Sequence, residues 1–65
     1  MAKPNVTIVK EQPALLLGEP RADLIRVYAQ DVQGNRHNIR IVETGEVVRE
    51  TLIEATSDVH FEIAD

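Results

Sequence analysis

Sixty-five residues, 43% of them apolar, carry 11 acidic and 7 basic side chains for a net charge of −4, with one tyrosine, one phenylalanine and no cysteine. A chain this short buries only about 60% of the surface it exposes when unfolded, and without cysteine neither disulfides nor thiolate-bound zinc can brace it. The acidic balance, with Lys3, Lys10, Arg21, Arg26, Arg36, Arg40 and Arg49 scattered along the chain, excludes the basic footprint that displaces counterions from phosphates, and no apolar run approaches the ~20 residues of a membrane span.

Binding of nucleic acid and a membrane role are therefore not expected. Met1 to Asn5 lacks the long apolar segment of a secretion signal, and the composition fits a soluble chain of the cytoplasm or of a virus particle. A small core of Val, Ile and Leu with no cross-link calls for oligomerisation or for docking on a protein partner.

Prolines and glycines cut the chain into strand-sized pieces. Val6-Thr7-Ile8-Val9-Lys10 alternates weakly and is rich in β-branched residues, which predicts a strand. Ala14-Leu15-Leu16-Leu17 follows, enclosed by Pro13 and by Gly18-Glu19-Pro20. Four apolar residues between two prolines are too few for a helix, and proline cannot donate to a central ladder, so this piece belongs at a sheet edge or in a connection. Its leucines need cover, from the domain's own sheet or from a neighbouring subunit; Leu15, Leu16 and Leu17 are the candidate partner-binding residues. Residues 1–20 read as an N-terminal extended arm or edge strand, and residues 21–65 as the antiparallel β core of a single domain.

Residues Asp23 to Asp31 show the clearest period of two: Ile25, Val27 and Ala29 point one way, Leu24, Arg26, Tyr28 and Gln30 the other. Gln33-Gly34-Asn35 is a turn signal, because Gly and Asn tolerate the positive φ of tight hairpins. Beyond it His37, Ile39 and Ile41 alternate with Asn38, Arg40 and Val42, so residues 23–42 predict a β-hairpin. After Thr44-Gly45, residues 46–55 fit two patterns. As a helix, Val47, Val48, Thr51, Leu52 and Ala55 make one stripe; as a strand, Val47, Thr51 and Ile53 share a face interrupted by Arg49. The pattern favours the helix, four β-branched residues and the like-charge ladder Glu46-Glu50-Glu54 count against it, and the β character of the remainder tips the reading to strand, with a short helix as the α+β alternative. Val59, Phe61 and Ile63 then alternate with His60, Glu62 and Ala64, which predicts a last strand pinned in the sheet.

The three glycines are isolated, so there is no phosphate-cradling loop. His37 and His60 would make an incomplete metal site even if their strands met. Ser57, Asp58 and His60 are too crowded on one turn for the separated geometry of a nucleophilic triad. Asp31 and Asp58 offer too few oxygens for calcium and read as Asx-type turn formers. Glu43, Glu46, Glu50, Glu54, Glu62 and Asp65 read as a solvated face that discourages edge-to-edge stacking, since an acidic mimic of DNA needs a far larger charge excess. No catalytic, cofactor-binding or metal-binding residue is assigned.

The stretch Leu24 to Asn35, with its Asp31-Val32-Gln33-Gly34-Asn35 turn and the following Ile39-x-Ile41, resembles the strand and turn of bacterial and phage immunoglobulin-like modules. Ser57 to Ile63 is similar to the final strand of such a module. The resemblance covers about half the chain, which is shorter than the ~100 residues usual for this sandwich. It implies a non-enzymatic adhesion or decoration role in which a partner supplies a missing strand or two. The expectation is thus an all-β protein, a small antiparallel β-sandwich or sheet of Ig-like kind. It would act through protein–protein contacts, as a homo-oligomer or on a protein partner, most simply as a virion decoration or accessory assembly protein. The alternative is a small regulatory inhibitor of one host protein, of anti-defence or polymerase-binding type.

Overall fold

The structure, a computed structural model, describes residues 5–65; the first four residues of the arm expected over residues 1–20 lie outside the described residues. The described chain is all-β and antiparallel. Strand β4 (Leu24–Asp31) is the centre of the first sheet. β1 (Val6–Glu11) runs along one of its edges, from Val6 opposite Asp31 to Glu11 opposite Arg26. Two strands share the other edge: β8 (Glu50–Glu54) covers Leu24 to Tyr28, and β5 (Arg36–His37) covers Ala29 and Gln30. In the second sheet β6 (Ile39–Ile41) lies between β7 (Val47–Val48) and β9 (Phe61–Ile63). β2 (Ala14–Leu16) and β3 (Glu19–Arg21) pair only with each other, as a ribbon.

The alternation read in β4 is the alternation that builds the core. Val27 and Ala29 from the first sheet and Ile39 from the second are fully buried, ringed by Val6, Ile8, Ile25, Val48, Ile53, Phe61 and Ile63. Phe61 and Ile63 reach this core because β9 pairs with β6, Phe61 opposite Ile41 and Ile63 opposite Ile39. Shape follows from how little there is to bury. The Cα radius of gyration is 12.4 Å and the smallest extent 15 Å, whereas a compact chain of this length would have a radius near about 11 Å.

Two expectations change. The hairpin expected over residues 23–42 exists for only two residue pairs, Ala29 with His37 and Gln30 with Arg36. At Asn38 the chain leaves β4 and crosses to the second sheet, because β8 already occupies the Leu24–Tyr28 edge. The crossing lets Ile39 pack over Val27 and Ala29 rather than extend their sheet. The helix alternative for residues 46–55 is overturned: this segment is β7 and β8. Its ambiguity has a structural cause. Val48 faces inward, Arg49 and Glu50 both face out, and Thr51 and Ile53 resume the inward face. One extra residue at the bend shifts the period-two phase, as a bulge does, and the shifted phase imitates a helical stripe.

Candidate functional site

The ribbon β2–β3 holds the leucines singled out as partner-binding candidates, and it treats them differently. Ala14 is buried and Leu16 half-buried on one face, while Leu15 on the other is 52% exposed. Leu16 pairs with Glu19, so Leu17-Gly18 is a two-residue loop. Both its residues have positive φ, 54° and 82°, the signs of a type I′ hairpin turn. Glycine takes such a conformation freely. Leucine does not: its Cβ crowds the neighbouring carbonyl at a cost of roughly 1–2 kcal/mol. Leu17 is nevertheless fully exposed, at 104%. The tip of the ribbon therefore presents an apolar side chain on backbone that disfavours it.

One arginine holds the ribbon to the sheet. Arg26 Nη2 donates to the Leu15 carbonyl oxygen at 2.6 Å, Nη1 donates to Glu50 at 2.7 Å, and Nε lies 3.4 Å from Glu11. Its planar guanidinium suits this forked arrangement better than an ammonium would. Glu50 also takes Arg36 at 3.1 Å, and the Arg36 guanidinium stacks 3.7 Å above the Tyr28 ring, a cation–π contact. Arg26 and then Arg36 hold the Glu50 carboxyl below the usual carboxylate range. Glu11, Arg26, Arg36 and Glu50 come from β1, β4, β5 and β8, so each strand of the first sheet contributes one charge to a locally neutral network. Sequence reading assigned Glu50 to a solvated acidic face and saw no link from Arg26 to Leu15, a connection that only the ribbon's fold-back creates.

Both histidines are occupied by carboxylates, and the pairing register keeps them apart. His37 Nε2 is 3.1 Å from Asp31, and its Nδ1 is 3.6 Å from Asp65. His60 Nδ1 is 2.6 Å from Glu43, whose other oxygen accepts the His60 backbone N–H at 3.0 Å. The His60 ring is thus turned to Glu43, which draws its pKa above the ordinary value. Asp31 is the turn former that its sequence context predicts: one carboxylate oxygen accepts the N–H groups of Gln33 and Asn35, both at 2.9 Å.

An open concavity of about 430 Å³ lies where β4 begins and β8 ends and is lined by Ala22, Asp23, Leu24, Glu54, Ala55 and Thr56. Its two carboxylates belong to Asp23, which is paired with Arg21 at 2.7 Å, and to exposed Glu54. Among the described residues no three His, Asp or Glu side chains gather as a metal-binding group, and no helix is long and apolar enough to cross a membrane. No family model matches the chain, and no curated protein or solved structure matches it either. Function is therefore read from the ribbon and the network beneath it.

Proposed function

We propose that this protein is a non-enzymatic binding module that seats the ribbon tip, Leu15 and Leu17, in an apolar pocket of a protein partner. The observation that carries this reading is Leu17, fully exposed at φ 54°. Among the described residues nothing favours leucine there, neither the backbone nor a contact. Burial on another surface would contribute about 1.5–3 kcal/mol for a leucine side chain, enough to offset the roughly 1–2 kcal/mol of the left-handed conformation. Two further features agree. Arg26 fixes the ribbon at Leu15, so little ordering entropy remains to be lost on binding. The chain is also thinner than its length requires, as befits a domain that completes its buried area elsewhere.

A decoration or accessory assembly protein is one form of this reading, and the immunoglobulin-like cadence of Leu24 to Asn35 points to the same class of role. The test is a capture comparison with a photo-crosslinking residue at position 19, beside the tip. Wild-type protein should yield a defined crosslinked partner that the Leu17→Asn variant loses at least tenfold. Equal yields from both would overturn the reading, and so would a partner crosslinked only from the opposite end of the molecule.

A further inference from the structure

We propose that the C-terminal segment, residues 58–65 with β9 at its centre, is held by a proton-operated clasp made of both histidines of the chain. β9 itself is short, three residues paired to β6, and it carries one cross-strand ion pair, Arg40 with Glu62 at 2.9 Å. Besides this ladder and the packing of Phe61 and Ile63 on the core, β9 is attached at its two ends, and a histidine stands at each.

At the leading end the His60 carbonyl oxygen accepts the Val42 N–H at 2.9 Å, and Glu43 grips His60 through both backbone N–H and ring. At the trailing end the Ala64 N–H donates to the Asn38 carbonyl, and the Asp65 carboxylate accepts the Asn38 N–H, both at 2.9 Å. These bonds satisfy the backbone at the very residue where the chain crosses between sheets. The same Asp65 oxygen faces His37 Nδ1 at ion-pair distance, while Asp31 faces Nε2.

Protonation decides how well this arrangement works. A neutral imidazole has one N–H and one lone pair, whereas imidazolium has two N–H groups. Two carboxylates on opposite nitrogens of His37 are both satisfied only by imidazolium; the neutral ring turns a lone pair toward one of them. At His60 the facing groups are Glu43, then Asp58, with Lys10 of β1 opposing them. Near His37 the other charges are turned away, Arg36 to Glu50 and Tyr28 and Arg49 to the Arg36 carbonyl. A histidine whose folded pKa is raised stabilises the fold below its ordinary value of 6.5 and loses that contribution as pH rises through the folded pKa. Glu43, whose pKa is lowered from 4.5, keeps its contribution above that value. At the His60 end the clasp is therefore closed in mildly acidic solution and relaxes on the alkaline side.

The test is amide hydrogen exchange by NMR between pH 6 and 8.5, corrected for intrinsic rates, with β4 amides as the internal reference. Protection of the β9 and Ala64 amides should fall on the order of threefold relative to β4 as pH rises, the scale of exposed ion pairs. The double variant His37→Gln, His60→Gln should show low, pH-independent protection there. Asp65→Asn, which still accepts from Asn38 but can donate to a neutral His37, should flatten the trailing-end response alone. A flat profile in the wild type, or a fall shared equally by β4, would overturn the clasp. Should the double variant fail to fold, ring titrations in the wild type decide: the β9 amide shifts must follow the His37 and His60 ring shifts, and independence overturns it.

Discussion

In β4 the odd positions Ile25, Val27 and Ala29 meet the core, and the even positions Arg26 and Tyr28 meet Glu50 and Arg36. In the ribbon beside it, only Ala14 and Leu16 turn inward, while Leu15 and Leu17 face water. The two regions are consecutive in the chain and draw on the same residue types, so composition does not separate them. Partners do. β4 has a paired strand on both edges, whereas among the described residues the ribbon pairs only with itself and is held by the inward Ala14 and Leu16 and by the Arg26 guanidinium. Apolar side chains in the first region hold the fold together; those at the tip of the second are available to something outside it.

The comparison breaks most sharply at Ile39. A 65-residue domain has roughly 3–10 kcal/mol of stability to lose, and Ile39→Ala should remove about 3 kcal/mol by opening a cavity over Val27 and Ala29. Urea denaturation followed by circular dichroism should show a midpoint lowered by the equivalent of that loss. A loss under about 1 kcal/mol would mean that the core is elsewhere. The ribbon should give the opposite sign. Leu17→Asn creates the Asn-Gly pair that type I′ turns favour, so stability should rise by about 1 kcal/mol while partner capture is lost. If Leu17→Asn destabilises instead, the tip has contacts within the chain and the distinction between the regions fails.

Arg26 joins the two regions, and its removal tests whether the ribbon is positioned or merely adjacent. Arg26→Met keeps the side-chain length and loses the bonds to Leu15, Glu50 and Glu11. It should cost about 1 kcal/mol, discounted because the network is partly exposed. Exchange at the ribbon amides should quicken while that of the β1–β4 ladder does not. Arg26→Lys should restore the charge but not the fork, and so recover only part of the effect.

Most of the inward face was legible because period two survives wherever a strand has a dry side: Ile25, Val27, Ala29, Phe61 and Ile63 could be placed from spacing alone. What spacing could not show was which edge each strand takes. Nothing local marks Asn38 as a crossing, since the reason is β8 (Glu50–Glu54), distant in sequence, arriving to fill the β4 edge. The phase shift at Arg49 hid a strand behind a helical stripe. The candidate site was legible only as a list: Leu15, Leu16 and Leu17 stood out as apolar residues between prolines, but their separation into one half-covered and two exposed side chains depends on a turn at Leu17-Gly18 that the sequence hardly announces. Gly18 is its one signal, and it read as a closing residue because Pro20 followed.

The smallest expected effect concerns how the two hairpin turns are built. The turn after β4 is organised by a carboxylate: His37, Asn35 and Gln33 together hold the Asp31 pKa down to about 2 from 3.8. The ribbon turn after β2 has no such group at its two central residues, Leu17 and Gly18. A carboxyl with a depressed folded pKa stabilises the fold above its unfolded value and loses that contribution as pH falls through the folded one. Melting temperature should therefore drop between about pH 4 and pH 2, and the drop should be shallower in Asp31→Asn. The asparagine oxygen still accepts from Gln33 and Asn35, so the turn survives; what it loses is the charge facing His37. An acid limb as steep in Asp31→Asn as in the wild type would show that this turn is held by its backbone alone and differs from the ribbon's only in the residues at its tip.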